Sequence, residues 1–348
     1  MPEPDIDIYD IQEVIHDLEH LIAKTEATLH QTDYHGKLRL VLDVVFLRVF
    51  NADHDHRLLI GLLNGLLELP EGERILRVER LDSRMFASRA GDKNPILDLL
   101  VRDQLRRLIQ IELQLVSYPA YMNRAVFYLT RVHSEQLKGG EGYEQLNRSI
   151  GVHILSWTLL KPAQDWPGPI TRARFCDLEH KREVTDQLEL VFVELPKFRK
   201  PSQFLETERE KWLYYLKNAD RMTQEDVKML NLKILDEVDE KLLHVSRNEE
   251  MRFAFLGETK AYLDALSYRT GWQNHYLKEG IAQGTAQGIA QGIVQGQREA
   301  LRELLSSLFG PLPPSTQHKL EQLTDLSELK RLTREAVRAP NLQALQLD

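Results

Sequence analysis

The chain has 348 residues, a formal net charge of -8 at neutral pH and a single cysteine. This length is enough for one domain of about 200 residues plus accessory segments. The lone Cys176 excludes an internal disulfide and a cysteine-rich zinc site, which fits a reducing compartment. The sequence has neither a basic and apolar leader pattern nor an uncharged run of about 18 residues, so it predicts a cytoplasmic protein without a membrane span.

The negative charge is concentrated at the N-terminus. Residues 1–36 contain nine acidic residues and one base, Lys24, which accounts for the whole net charge and leaves the remainder balanced. Apolar residues at helical spacing between Ile11 and Ile22 predict a helix that docks by one face. The alternative is that the acidic side of this helix competes with phosphate groups at the protein surface. A balanced body can carry a local basic groove, so the net charge does not exclude a nucleic-acid partner.

Two helices and a strand are predicted next. Residues 38–69 show helical periodicity that is broken near residues 51–56, and residues 74–82 read as a strand. His54 and His56 lie in the polar break, but no second pair of ligands accompanies them, so we do not assign a metal site there.

The segment 92–114 predicts a β-hairpin. Two apolar runs, residues 95–101 and 108–116, are joined by the charged segment 102–107. Alternation in the second run separates a packed face from a polar one, with Ile109, Ile111, Leu113 and Leu115 opposed to Gln110, Glu112 and Gln114. In the first run, the same period places the carboxylate of Asp98 in an otherwise apolar strand.

Pairing of the two runs brings Asp98 towards the polar face that carries Glu112. Two neighbouring carboxylates repel each other and raise each other's pKa unless a cation lies between them. Mg²⁺ suits this position, because it is bound by one or two carboxylates together with water and substrate phosphates. The pattern therefore predicts metal-assisted hydrolysis. The alternative is that Asp98 lies at a strand end near solvent, while Glu112 and Gln114 occupy the open face of a sheet.

Residues 120–137 predict an amphipathic helix directly after this hairpin. Its apolar face contains Met122, Val126, Leu129 and either Val132 or His133, and its polar face contains Tyr121, Arg124, Tyr128, Arg131 and Glu135. The polar face is expected to border the site, with Arg124 and Arg131 binding DNA phosphates and Tyr128 stacking or orienting a water molecule. Arg106 and Arg107 in the hairpin turn add basic charge. The alternative is that this face is only the solvent side of the helix.

The remaining elements complete an α/β fold with an all-helical C-terminal extension. Strands are predicted at residues 150–157, 171–178 and 188–195, forming a mixed sheet flanked by helices, and residues 206–276 read as helices that end near Gly280. Residues 280–296 repeat a Gly-x-x-Gln pattern, which favours a self-associating helix over a flexible linker. A helical hairpin is predicted at residues 298–309 and 315–337. The expected divisions are 1–36, 37–220, 221–279, 280–297 and 298–348.

Several segments in order from Gly36 to Ala219 resemble the PD-(D/E)XK nucleases, specifically their transposase-like, recombination-promoting family. Besides the hairpin, the resemblance is carried by LDVVFLRVF at 42–50, LLNGLLELP at 62–70, DK at 92–93, SEQLKGGEGY at 134–143, LELVFVELPKF at 188–198 and KWLYYLKNA at 211–219. The resemblance implies a restriction-endonuclease-like mixed sheet and a DNA endonuclease that depends on Mg²⁺ or Mn²⁺.

The same resemblance implies the roles of individual residues. Asp98 and Glu112 would bind the metal, together with the backbone carbonyl of Leu113. Two departures stand out, since Leu97 precedes Asp98 where the superfamily has proline, and Gln114 replaces its lysine. Gln114 can hydrogen-bond the nucleophilic water but brings no positive charge. Lys93 is a candidate replacement for that charge.

Three functions follow as expectations. The first is DNA cleavage, and the second is DNA binding by a nuclease-derived protein that does not cut. The third is an interaction protein whose glycine repeat and C-terminal helices form a homo-oligomer. Residues 298–348 resemble a small domain of unknown function found on some nucleases of the same family, which leaves oligomerisation or partner docking open.

Overall fold

The computed structural model describes residues 8–31, 35–51, 55–82, 98–117, 120–160 and 166–345. The chain divides into two compact units, Met1–Ser267 and Tyr268–Asp348.

The described residues of the first unit form a six-stranded mixed sheet in the order β1-β2-β3-β4-β6-β5. Its strands are β1 Val78–Arg80, β2 Leu99–Asp103, β3 Leu108–Gln114, β4 Ser149–Leu155, β5 Ile170–Asp177 and β6 Arg182–Glu194. Strands β3, β4 and β6 run parallel to one another, while β1–β2, β2–β3 and β5–β6 pair in the antiparallel sense. The α/β class, the mixed sheet and the hairpin of β2 and β3 are confirmed. Residues 95–97 of the expected first strand lie outside the described residues.

Helices flank both faces of this sheet. The helices of the first unit are α1 Ile8–Thr28, α2 Asp43–Phe50, α3 Arg57–Leu67, α4 Tyr121–Ser134, α5 Glu208–Asn218, α6 Gln224–Met229 and α7 Lys233–Arg247. Helix α8, Glu249–Phe309, begins in the first unit and continues into the second. Both α5 and α6 begin with capping boxes, in which Thr207 and Thr223 accept hydrogen bonds from the third residue of their own helices. Helix α1 docks as expected, because Leu18 and Leu21 are buried in the main core.

The main core lies between one face of the sheet and helices α2, α3, α5 and α7. Helix α4 covers the opposite face, where Tyr121, Ala125 and Leu129 pack against residues of β4 and β6. The alternative in which Glu112 lies on an open face of the sheet is therefore wrong, since Gln110 and Glu112 are buried on the face that α4 covers. A strand in the centre of a sheet that carries helices on both faces has no solvent side.

The expected faces of α4 also need correction. Tyr121, assigned to the polar face, is buried, whereas Val126, assigned to the apolar face, is 44% exposed. The Tyr121 hydroxyl is paired with the buried His153 of β4, and this contact fixes which side of the helix faces the sheet. A buried tyrosine with a hydrogen-bond partner serves as a core residue.

The second unit begins within α8. The expectation that the helix ends near Gly280 is wrong, because α8 continues through the Gly-x-x-Gln repeat to Phe309. Three residues of each four-residue repeat are compatible with a helix, and the repeat is helical instead of forming a flexible linker. The five glycines of the repeat are exposed, and a Cβ placed on any of them meets nothing within 4 Å.

Two short helices complete the second unit. The expected single helix over residues 315–337 is divided into α9 Pro314–Gln322 and α10 Leu326–Ala336. The break occurs because Asp325 caps α10, its side chain accepting a hydrogen bond from the backbone N–H of Ser327 at 2.8 Å. Leucines from α8, α9 and α10 form a core of their own. Over the described part of the chain, every helix is too short or too polar to cross a membrane.

Candidate active site

Asp98 lies immediately before β2 and is tied to the neighbouring strand. Its Oδ2 atom accepts a hydrogen bond from the backbone N–H of Leu113 at 2.9 Å. Leu99 pairs with Ile111 across the hairpin, so the register places Asp98 beside Glu112 on the same face. The expected convergence of the two carboxyl groups is therefore built into the hairpin.

Glu112 is the more deeply buried member of this pair. Its side chain is 2% exposed, and its Oε1 accepts a hydrogen bond from the Gln110 side-chain amide at 3.1 Å. The Arg124 guanidinium of α4 lies 4.0 Å from Oε2. A long ion pair of this kind offsets only part of the cost of burying a carboxylate.

The electrostatic consequence is that both groups hold protons more tightly than usual. Burial raises the pKa of Asp98 to about 6, against the opposing effects of the Leu113 N–H and Arg124. Burial raises the pKa of Glu112 to about 8, and the charge of Asp98 adds to this effect. A cation bound between two such groups favours their ionised form, so its binding displaces their protons to water.

A third carboxyl group, Asp43, was missed in the sequence. It opens α2, and its pKa is raised to about 8 by burial first and then by the charges of Asp98 and Glu258. The Tyr262 hydroxyl donates to its Oδ2 at 3.4 Å. The available signal was an acidic residue at the start of an apolar helix, inside one of the segments that carry the family resemblance.

Glu258 of α8 holds the first turn of α2 in place. Its two carboxylate oxygens accept hydrogen bonds from the backbone N–H groups of Asp43 at 3.2 Å and Val44 at 3.1 Å. A carboxylate is stabilised at a helix N-terminus by the unpaired N–H groups and the helix dipole. Burial, as the largest effect, nevertheless raises the pKa of Glu258. A local sequence pattern could not reveal this contact, because the partners are separated by 215 positions.

His153 and Tyr121 form the wall beside Glu112. His153 pairs with Glu112 in the parallel register of β3 and β4, and its Nδ1 lies 2.8 Å from the Tyr121 hydroxyl. Burial, followed by the charge of Arg124, lowers the pKa of His153 to about 3, so the ring is neutral. Its Nε2 has no hydrogen-bond partner among the described residues. Neither residue was singled out as a site residue from the sequence.

The other expected residues are placed at different distances from the acidic pair. Gln114 is two residues beyond Glu112 on the same side of β3, and it is half-buried. The Arg124 guanidinium lies over the Tyr128 ring, 5.0 Å from its centre. Arg131 is about 10 Å further along α4 than Arg124, and it pairs with Glu135 at 2.9 Å. Lys93 lies outside the described part of the chain.

The basic residues of the hairpin turn are not brought to the site. Arg106 adopts a left-handed backbone conformation with φ of 63°, and Arg107 begins about 16 Å from Glu112 along the strand. Arg107 is buried, and its Nε donates to Asp103 at 2.6 Å while its other nitrogens bond Glu73. The expected DNA contact of Arg107 is therefore replaced by a structural contact that closes the turn.

Residues 40–270 match the PD-(D/E)XK nuclease family transposases. The chain belongs to this family. The match covers about two thirds of the chain and contains α2, the acidic hairpin, α4 and the part of α8 that carries Glu258. Comparison with curated proteins and with solved structures gave no match. Membership supports a nuclease-like or transposase-like function for this chain.

Divalent metals are the usual cofactors of this nuclease family. Within the described ranges, no three His, Cys, Asp or Glu side chains are arranged as a ready metal cage. The residues present nevertheless fit a hard cation of the Mg²⁺ type, which needs only one or two carboxylates and takes its other oxygens from water and substrate. Asp98 and Glu112 supply these carboxylates in a buried position where their charges are otherwise poorly offset.

Proposed function

We propose that this member of the family is a divalent-metal-dependent DNA endonuclease. The observation that carries the proposal is the placement of the half-buried Asp98 beside the buried Glu112, both with raised pKa values and next to Arg124. Buried carboxyl groups with perturbed pKa values are common at catalytic sites.

In this proposal, Asp98 and Glu112 hold Mg²⁺ or Mn²⁺ together with the backbone carbonyl of Leu113. When bound, such an ion lowers the pKa of a water molecule and offsets the charge that develops on the attacked phosphate. The hydrogen bond from the Leu113 N–H fixes the carboxylate of Asp98. Asp43 adds a third acidic group on the side of α2.

Arg124 compensates for the missing lysine of the superfamily. The Gln114 amide hydrogen-bonds the attacking water but carries no charge. Arg124 is the cation found 4.0 Å from Glu112, and its guanidinium is suited to bind a phosphate oxygen. The ring of Tyr128 packs against the guanidinium of Arg124, and this cation–π contact helps to hold Arg124 in place.

A second candidate function is DNA binding without cleavage. Gln114 favours it, because a neutral amide at this position activates a water molecule less strongly than a cation would. In that case, the acidic pair retains metal binding and the basic face of α4 retains DNA. The glycine face of residues 280–296 supports a further proposal for either function, namely that the chain forms a homo-oligomer through this exposed helix.

The test is nicking and linearisation of supercoiled plasmid in Mg²⁺, Mn²⁺ or EDTA. Asp98→Asn and Glu112→Gln keep the shape of the side chains and remove their charge. Glu79→Gln is the matched control, because Glu79 is an exposed glutamate on β1 of the same sheet. Binding of Mn²⁺ in the absence of DNA is measured in parallel by electron paramagnetic resonance.

We expect the intact chain to cleave in Mg²⁺ or Mn²⁺ and the two site variants to lose activity by about a hundredfold or more. The Glu79→Gln variant should retain it. Metal binding by the intact chain without any cleavage would favour the second function. Cleavage that persists in both site variants would show that the acidic pair is not the catalytic centre.

A further inference from the structure

A cleft of about 600 Å³ lies where the parallel strands β4 and β6 end. Residues 156–158 and 195–196 form its floor, and α1 forms one wall. Residues of α5 and of the segment that precedes α2 also line the cleft. In open α/β sheets, ligands are bound outside the carboxyl ends of the strands.

The cleft borders the acidic site. The backbone N–H of Ser156 donates to the carbonyl of Gln114 at 3.0 Å, so the floor of the cleft continues directly from the end of β3. The ring of Trp157 lies 5.4 Å from the ring of Tyr121, which forms the wall beside Glu112. Residues that line the cleft therefore contact both the end of β3 and the wall beside Glu112.

The charged side chains of the cleft are mostly basic. Arg39, Lys217 and Arg221 line it, and Asp17 is the acidic residue among its lining residues. The Asp17 carboxylate lies between two guanidinium groups, 2.7 Å from Arg39 and 3.6 Å from Arg221. Arg221 also lies 4.0 Å from Asp220. Two guanidinium groups around one anion form a site that accepts a phosphate as readily as a carboxylate.

Helix α1 brings Asp17 to this position. Leu18 and Leu21 are buried in the main core, so the helix is anchored by its apolar face. Anchoring directs Asp17 towards Arg39, whereas Glu19 on the same helix is exposed to solvent. The two acidic residues have the same charge on the same helix, but only Asp17 is paired with residues of the cleft.

We propose that Arg39 and Arg221 bind a backbone phosphate of DNA next to the cleaved bond, and that Asp17 occupies this phosphate position in the structure. The proposal rests on the proposed function for its choice of DNA as ligand. Helix α1 then weakens DNA binding through Asp17 in particular, not through its negative charge in general.

The experiment measures the affinity of the full chain for a fluorescent DNA duplex by anisotropy, in EDTA, so that binding is read without hydrolysis. Asp17→Asn is compared with its matched control Glu19→Gln, since both remove one negative charge from α1. Arg221→Gln is compared with Arg182→Gln, a change of an exposed arginine outside the cleft. Arg221 is 69% exposed, so its replacement does not endanger folding.

We expect Asp17→Asn to tighten binding about two- to fivefold more than Glu19→Gln, which is the range for a partly exposed ion pair. Arg221→Gln should weaken binding and reduce the salt dependence by about one phosphate contact. Arg182→Gln should change neither quantity by as much.

Equal effects of Asp17→Asn and Glu19→Gln would overturn the proposal, as would equal effects of the two arginine variants or a failure of all chains to bind DNA. The proposed function is judged separately by plasmid cleavage in Mg²⁺. A chain that binds with the expected differences but does not cut supports the phosphate site and contradicts the endonuclease. A chain that cleaves DNA, but in which Asp17→Asn and Glu19→Gln change the affinity for DNA equally, supports the endonuclease and contradicts the phosphate site.

Discussion

Glu112→Gln is expected to stabilise the metal-free protein while it removes cleavage. Burial raises the pKa of Glu112 to about 8, from the ordinary value of 4.5. The folded chain therefore keeps this group protonated at pH values where the unfolded chain has ionised it. Glutamine has the shape of the protonated side chain and does not titrate, so the variant avoids this difference between the two states.

The size of the effect follows from proton linkage. A group whose pKa is raised in the folded state contributes its full stabilisation of that state at low pH. This stabilisation is lost as the pH rises from about 4.5, the ordinary pKa, to about 8, the pKa in the folded state. At pH 7.5, the difference between the two pKa values corresponds to about 4 kcal/mol at most, and to about 2 kcal/mol if the side chain relaxes towards solvent. We therefore expect the free energy of unfolding of the Glu112→Gln variant to exceed that of the parent chain by about 2 to 4 kcal/mol at pH 7.5. Near pH 5, the difference should be much smaller.

Urea unfolding in EDTA at pH 5 and pH 7.5 measures this difference. Tryptophan fluorescence includes the signal of Trp212, which is fully buried in the core of the first unit. Glu189→Gln is the matched control, since Glu189 is equally buried on β6. Burial raises the pKa of Glu189, but hydrogen bonds from Arg172, Arg174 and Arg148 outweigh it and leave the pKa below its usual value. Glu189→Gln should therefore destabilise the fold, by about 3 kcal/mol.

Two results would refute this reasoning. One is a Glu112→Gln chain that is less stable than the parent at pH 7.5. The other is a stability difference that is the same at pH 5 and pH 7.5, which would show that proton uptake by Glu112 does not contribute. Addition of Mg²⁺ should raise the stability of the parent chain at pH 7.5 more than that of the variant, because only the parent keeps both carboxylates.

Three further outcomes are expected. Tyr121→Phe leaves Nδ1 of His153 without its partner in a buried position, so thermal unfolding should show a loss of about 1 to 3 kcal/mol. Glu258→Ala removes the acceptor for the first turn of α2 and should cost about 1 kcal/mol, and weaker Mn²⁺ binding in calorimetry would show that Asp43 has lost its position. Gly288→Leu places a large side chain on the exposed glycine face, and sedimentation should shift towards the monomer; an unchanged sedimentation coefficient would exclude this face from self-association.

Local patterns in the sequence were sufficient to predict the sheet and the hairpin. The alternation through Glu112 specifies a strand, and the charged turn after Val101 specifies its partner, so Asp98 and Glu112 could be placed together before the fold was known. Periodicity was less informative about burial. Polar residues of β3 read as an open face because the alternating pattern does not show that a later helix covers them.

The rest of the site depends on contacts between distant segments. Asp43 approaches Asp98 only after α2 packs on the sheet, and Glu258 reaches α2 from the far end of the family domain. Arg107 illustrates the opposite error, because a basic residue near the site in sequence is held away from it by the geometry of the turn. Sequence spacing cannot distinguish these cases, since it contains no information on which helix packs where.

The hydrogen bonds between Glu258 and the first turn of α2 can form only after most of the family domain has been synthesised. A ribosome delivers α2 and the acidic hairpin first, and α8 emerges only after every strand of the sheet has been made. Until then, the N–H groups of Asp43 and Val44 lack their carboxylate acceptor. A nascent chain that stops before Glu258 therefore contains the carboxyl groups of the hairpin but not the anchored Asp43. The contact that anchors Asp43 is therefore completed late in synthesis, after the acidic hairpin has been made.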